Sequence, residues 1–233
     1  MQAWDDPRIA GGLTTQLARR RARVAAGERP IGWKLGLGAP AMLEKFTLKA
    51  PLVGHLFQGG VLASGATASL KGYGKPIAEP EIAVTMGADL APGADAATAL
   101  AAIRSLTPAI EIADMTPPPA DVTAILADNI FHRHVVFGNA SRPGGDTAGL
   151  TARVIRRGAE AAHSDTPEAL TGKIVDLVRH VAGTLAAHDE KLAAGDIIIC
   201  GSITPPIAVE PDETELTYWL DPVGPVSVKL SRI

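Results

Sequence analysis

Apolar positions along the chain switch repeatedly between helical and extended spacing. Ile9, Leu13, Leu17 and Val24 recur at near-helical intervals between Asp5 and Ala26, and Arg19, Arg20, Arg21 and Arg23 gather toward the C-terminal end, where cations suit the helix dipole. The pattern predicts an amphipathic helix that stops at Gly27. PIGWKLGL, residues 30–37, reads as a strand, and residues 39–48 as a short helix with Pro40 in its first turn, where proline is tolerated. Strands are expected over 52–56 and 66–70, and again over 77–86, where IAEPEIAVTM alternates. A helix over 95–103, a strand over 106–113 (LTPAIEIA), a helix over 120–128 and a strand over 131–137 follow. The longest predicted helix covers 167–192, with Leu170, Ile174, Leu177, Val178, Val181 and Leu185 on one face. Beyond a turn at Ala194-Gly195-Asp196 the chain is mostly β, with strands over 197–200, 207–209, 216–220 and 226–230. No repeat or linker divides it, so residues 1–233 read as a single domain whose first 65 residues form a smaller α/β portion.

Composition narrows the class. With 46% hydrophobic residues over 233 positions the chain can bury a sizeable core, and a mean hydropathy of +0.15 fits a soluble globular protein. Its 22 basic and 25 acidic side chains leave a formal charge of -3, with no global field to attract a polyanion, and 3 Trp, 2 Tyr and 4 Phe offer little to stack on bases. Nucleic acid is therefore not the expected partner. Nor is a membrane, because no apolar run approaches transmembrane length, and MQAWDDPRIA is acidic where a signal peptide would be basic and then apolar. A cytoplasmic location is the expectation. Cys200, the single cysteine, excludes an intramolecular disulfide framework and a cysteine-rich zinc site, and within an apolar strand it reads as a small packing residue.

Glu79 and Glu81 in AEPEIAV project from one face of their strand, and Glu111 in PAIEIAD lies between isoleucines on another. Three carboxylates inside apolar strands repel one another and are costly to desolvate unless something positive neutralises them. A hard divalent cation with oxygen ligands does so, and without a cysteine cluster the set favours Mg²⁺ or Mn²⁺ over Zn²⁺. The plainer alternative has Glu79 and Glu81 facing solvent and Glu111 paired with an arginine. Lys34, a single charge in a glycine-flanked strand, could hold a substrate carboxylate or transfer a proton, or it could snorkel from an edge. Ser202 and Thr204, just past the IIIC strand, could bind a carboxylate or carbonyl, or stabilise a turn. His132 and His134 would share a strand face, as metal ligands, as acid and base, or in structural roles.

The ordered series GWKLGL, PLVGHL, AEPEIAV, PAIEIAD, LADN and AGDIIICGSIT resembles the 2-keto-4-pentenoate hydratase and 4-oxalocrotonate decarboxylase branch of the fumarylacetoacetate hydrolase superfamily, from about Gly32 to Val228. The resemblance implies an α+β fold, a mixed β-roll over 66–233 with peripheral helices, and a homo-oligomer, with a partner pathway enzyme as a further candidate partner. It also implies that Glu79, Glu81 and Glu111 bind Mg²⁺ or Mn²⁺ in an open site, that Lys34 stands beside the metal, and that Ser202 contacts the acid end of the substrate. Two departures stand out. Leu48-Lys49-Ala50-Pro51 replaces a Val-Asp-x-Pro pattern, so Lys49 occupies the place of an acid associated with hydration, and Ile130-Phe131-His132 replaces small and serine residues after ADN.

The expected activity is metal-dependent hydration of a 2-hydroxy-2,4-dienoate to a 4-hydroxy-2-oxo acid, with Lys34 transferring protons and His132 or His134 standing in for the missing acid. The first alternative is decarboxylation of a 2-oxo-3-enedioate, whose second carboxylate Lys49 or an arginine could receive. Next come C–C hydrolysis of an acylpyruvate, disfavoured by ADNIFHRH, and a catalytically silent homologue that binds a 2-oxo acid.

Overall fold

The computed structural model describes residues 2–116 and 120–233. Its larger sheet has nine strands. Seven run in the spatial order β2 (Leu52–Phe57), β1 (Pro30–Gly36), β11 (Ile197–Ser202), β5 (Pro76–Met86), β6 (Ile103–Asp114), β7 (His132–Phe137) and β3 (Val61–Ala63), with β12 (Ile207–Ala208) on β5 and β8 (Arg142–Pro143) on β6. The two ends of this order, β2 and β3, are joined in the chain only by the 3-10 turn Gln58–Gly60. The four Cα steps from Phe57 to Val61 span about 14 Å at most, so the sheet must curl until its edges nearly meet. A five-stranded sheet, β10 (Ala159–Ser164), β9 (Thr151–Arg156), β13 (Glu215–Asp221), β14 (Gly224–Ser231) and β4 (Thr67–Ser69), packs beside it. Helices α1 (Pro7–Ala25), α2 (Pro40–Phe46), α3 (Ala96–Ala102), α4 (Val122–Ala127) and α5 (Ile174–Ala186) lie at the periphery. This is the mixed α+β architecture expected from the sequence.

Strand alternation sorts the side chains of the large sheet into two sets. Trp33, Ile82, Val84, Ile110, Ile112 and Ile198 enter the main core with Val178 and Val181 of α5 and with Tyr218 and Val226 of the second sheet. The other face carries a smaller cluster, Leu56, Ala83, Ala109, Val135 and Ile199. Leu56 and Val135 sit on strands far apart in the sheet order, so they can meet only on its concave side. Lys34, Glu79, Glu81 and Glu111 are in phase with this concave set, because Lys34 pairs with Ile199, Ile199 with Ala83, and Glu81 with Ala109. A third cluster packs α1 on α4 through Ile9, Leu13, Val122 and Leu126, and seats Ile130 and Phe131.

Two local expectations are corrected. The helix predicted from residue 167 starts at Ile174, because Gly172 takes φ 105° and the Glu168 carboxylate accepts from the Ile174 N–H at 2.7 Å, closing the preceding segment as a cap. It ends at Ala186, before Asp189 at φ 59°. Residues 151–164, for which the hydrophobic pattern suggested nothing, form the β9–β10 hairpin, turned by Arg157 and Gly158 at φ 50° and 77°.

Candidate active site

β5 and β6 pair with Glu79 directly opposite Glu111, and Glu81 lies two residues farther along the same face. One oxygen from each of the three carboxylates falls within 4.8 Å of the others. Glu81 and Glu111 are fully buried, while Glu79 is half-buried and opens onto a cavity. A register shift in β11 between Ile199 and Ser202 turns the Gly201 N–H toward Glu81 Oε2, to which it donates at 2.5 Å. Gly201 sits at φ 86°, a left-handed conformation that glycine adopts without strain. Glu81 Oε1 and Glu111 Oε2 are buried and have no protein partner. Buried polar atoms are almost always satisfied. Two orphaned oxygens on adjacent carboxylates, with a third carboxylate in reach, therefore fit a divalent cation held by oxygen ligands alone.

Lys34 reaches the centre from β1. Its Nζ stands 2.6 Å from Glu111 Oε1 and also donates to the Ile130 carbonyl at 3.3 Å, with Lys34 1% and Glu111 0% exposed. Room for its stem comes from Gly54, which faces it across β2, where a Cβ would stand 2.8 Å from both Lys34 Cγ and Asn129 Oδ1. His132 Nδ1 lies 2.7 Å from the same Glu111 oxygen. The surroundings split the three carboxyls. Burial, then repulsion from Glu111, pushes Glu79 up to about 7 and holds Glu81 well above the usual carboxylate range. Burial alone would also raise Glu111, but the Lys34 ammonium and the His132 hydrogen bond outweigh it and hold this carboxyl down to about 2.

Asn129 is the residue that sequence reasoning passed over, quoting it only within LADN. Its Oδ1 accepts from the His55 N–H at 2.8 Å and its Nδ2 donates to the His55 carbonyl at 2.9 Å, so the amide pairs with β2 as a strand residue would. Asn129, Ile130 and Phe131 are all left-handed, at φ 55°, 53° and 63°. For β-branched Ile130 this is a strained conformation of the kind that gathers at functional sites, and it aims the carbonyl at Lys34. An asparagine before a non-helical break was the available signal, since Asn tolerates this region.

A cavity of about 410 Å³ opens beside the carboxylates. Lys34, Glu79, Gly201 and Ser202 mark its polar end, and Leu37, Met42, Met115, Ile130, Phe131 and Leu170 line much of the rest.

The sequence-selected residues distribute unevenly around this centre. Lys34, Glu79, Glu81 and Glu111 converge, which removes the solvent-facing and snorkelling alternatives. Ser202 lines the cavity, although its Oγ donates to the Thr204 carbonyl at 2.6 Å, and Thr204 itself is buried outside the lining. His132 meets the cluster only through Glu111. His134 does not join it. A bulge pairs Ile112 with His134 but Ala113 with His132, so Arg133 is the extra residue and the two histidines fall in opposite phases, correcting the expected shared face. Lys49 is exposed and lines a separate small cavity with Asp6 and Pro7 at the start of α1, so it is not placed to receive a substrate here. Cys200 packs in the main core, and burial raises its thiol.

Comparison with known proteins identifies the family and the fold. The profile of the fumarylacetoacetate (FAA) hydrolase C-terminal family matches residues 47–229. A 2-hydroxyhexa-2,4-dienoate hydratase of Comamonas testosteroni is 30% identical over 191 residues, covering 79% of this chain and 72% of its own. A 4-oxalocrotonate decarboxylase of Pseudomonas putida is 26% identical over 225 residues, covering 95% and 85%. Among solved structures, the 4-oxalocrotonate decarboxylase of Pseudomonas putida G7, complexed with magnesium and adipate, superposes with a TM-score of 0.88 over 99% of this chain and 90% of that one, at 24% identity.

Proposed function

Because this chain belongs to the fumarylacetoacetate hydrolase family, we propose that it is a lyase of that family's hydratase type, adding water to a 2-hydroxy-2,4-dienoate to give a 4-hydroxy-2-oxo acid. The observation that carries the reading is the convergence of Glu79, Glu81 and Glu111, with two orphaned oxygens, at the polar end of an otherwise apolar cavity. These three would hold Mg²⁺ or Mn²⁺, the cations that an all-carboxylate set prefers. Bound there, such a cation supplies Lewis acidity toward the carboxylate and 2-oxygen of the substrate.

The chain's own residues supply the rest. Lys34 Nζ, the one ammonium lining the cavity among the described residues, would deliver and recover protons as the dienol ketonises at its far carbon and water then adds across the conjugated double bond. Glu111 holds that ammonium at 2.6 Å, and His132 holds Glu111, so His132 is a positioning residue. The apolar walls would seat the carbon tail of the substrate, and Ser202, on the polar lining, would meet its acid end. A second reading, decarboxylation of a 2-oxo-3-enedioate, is favoured by the near full-length match to the decarboxylase, and the same centre would serve it.

The test is to strip the purified protein with chelator and supply 2-hydroxypenta-2,4-dienoate or 2-oxohex-3-enedioate, with and without Mg²⁺ or Mn²⁺. Metal-dependent formation of 4-hydroxy-2-oxopentanoate is expected. Release of CO₂ from the diacid alone would replace the hydratase by the decarboxylase, and no turnover of either would overturn both.

A further inference from the structure

The far wall of the cavity decides which substrates the proposed reaction accepts, so any inference drawn from that wall rests on the proposed reaction. Among the described residues, the ionisable groups lining the cavity are Lys34 and Glu79. Lys34 is already committed to Glu111 at 2.6 Å, and Glu79 is a candidate metal ligand. Away from that end the lining offers Leu37, Met42, Met115, Ile130, Phe131 and Leu170, with no arginine, histidine or second lysine among the described residues. Lys49, the cation that sequence reasoning reserved for a distal carboxylate, lines a different cavity.

Size points the same way. At a water's share of about 30 Å³ per non-hydrogen atom, a generous allowance, the eight such atoms of 2-hydroxypenta-2,4-dienoate fill roughly 240 Å³. About 170 Å³ of the 410 Å³ then remains, on the order of five further carbons. Methionines at two points of the wall suit a flexible apolar chain, because the thioether side chain adapts to irregular shapes.

We infer that the site takes 2-hydroxy-2,4-dienoates ending in an uncharged apolar chain of several carbons, and that it discriminates against substrates ending in a second carboxylate. Among the described lining residues the hydroxyls, Ser202 and Thr171, stand with Gly201 at the polar end, so a distal carboxylate would be buried against Leu, Met and Phe with no cationic side chain to meet it.

The experiment uses the Mg²⁺- or Mn²⁺-loaded protein with 2-hydroxydienoates of five to nine carbons and with 2-oxohex-3-enedioate. kcat/KM is expected to rise about fourfold per added methylene until the cavity is full, the value for one buried CH₂, and to be at least about a hundredfold lower for the diacid than for the six-carbon monoacid. A flat or falling series, or a diacid turned over as well as the monoacid of its length, overturns the inference and leaves the proposed reaction standing. Absence of metal-dependent turnover with every substrate overturns the proposed reaction instead. Cavity preference is then decided by thermal shift and competition with 2-oxooctanoate against 2-oxooctanedioate, where equal binding or preference for the diacid overturns the inference. Met42→Lys, at a half-buried wall position on α2, should raise diacid over monoacid kcat/KM at least about tenfold by supplying the missing cation, with Leu170→Lys as a second placement. An unchanged ratio in both folded variants counts against it.

Discussion

Replacing Lys34 by methionine keeps most of the stem volume and removes the charge that stands 2.6 Å from Glu111. In an effective dielectric of 20, two unit charges about 4 Å apart attract by about 4 kcal/mol, and removing one partner of a buried pair typically destabilises by about 3–5 kcal/mol. Lys34 and Glu111 are both essentially inaccessible, so discounting for solvent is small. For a chain of this size each kcal/mol moves Tm by roughly 2–4 °C, so metal-free Lys34→Met should melt about 8–16 °C below the parent protein. With saturating Mg²⁺ the ion offsets the charge of Glu111 in place of the lysine, and the deficit should fall below about 1.5 kcal/mol, the level of a volume-conserving swap. Calorimetric unfolding with and without metal reads both numbers, and titration calorimetry should show Mg²⁺ binding as tightly as before or tighter, while turnover is lost. An equal deficit in the two states, a metal-free deficit under about 1 kcal/mol, or retained turnover would refute the account of Lys34 as both the resident countercharge and the proton carrier.

Five further outcomes are expected. Glu79 ionises near pH 7 in the metal-free fold and burial likewise holds Glu81 well above the usual carboxylate range, against about 4.5 in the unfolded chain, so metal-free stability should decline as pH rises from about 4.5 to 7. Metal must displace those protons, so its affinity should climb with pH and flatten above the folded values; a pH-independent affinity between 5.5 and 7 contradicts this. Glu111 has the opposite sign: its stabilisation is present above about 4.5 and lost as pH falls toward 2, and should appear as acid unfolding. Glu81→Gln, in which the amide oxygen can still accept from Gly201, should leave metal-free Tm unchanged or raised while Mg²⁺ affinity falls on the order of a hundredfold; loss of the fold would show that the carboxylate is structural. Asn129→Ala leaves the His55 N–H and carbonyl without their partners, for about 1–3 kcal/mol each, and frees the turn that aims the Ile130 carbonyl at Lys34. Both Tm and kcat should drop, and a fall in Tm with unchanged kcat would separate the turn from the chemistry.

The centre was legible in the sequence because its chemistry violates the local pattern. Glu79, Glu81, Glu111 and Lys34 are charges inside runs that otherwise read as buried strands, and strand period fixes which of them share a face. What the pattern could not supply was anything set by one extra residue or by tertiary contact. The bulge at Arg133 sends His132 to Glu111 and His134 away from it, and no periodicity reveals a bulge. The late start of α5 depends on Glu168 reaching across to the Ile174 N–H, a choice that leaves the apolar spacing of 167–192 unchanged. Strands β9 and β10 escaped because β10 is alanine-rich and largely exposed and takes its strand conformation by pairing with β9. Lys49 was misplaced because its position opposite a family acid says nothing about where the loop after α2 carries its side chain.

The amide of Asn129 also has a bearing on solubility. β2 ends one side of the large sheet, and an uncovered strand edge would display N–H and carbonyl groups that another chain can pair with, but here all six residues of β2 are buried and Gln16 of α1 donates to the Val53 carbonyl. By taking both main-chain groups of His55, one side chain occupies the middle of that edge with a partner that cannot propagate a ladder. A fully extended neighbour could not dock along β2 without first displacing it. The residue that helps set the lysine is therefore, with Gln16, also part of the cover over this edge, so that loss of Asn129 should appear in refolding yield and light scattering at high protein concentration.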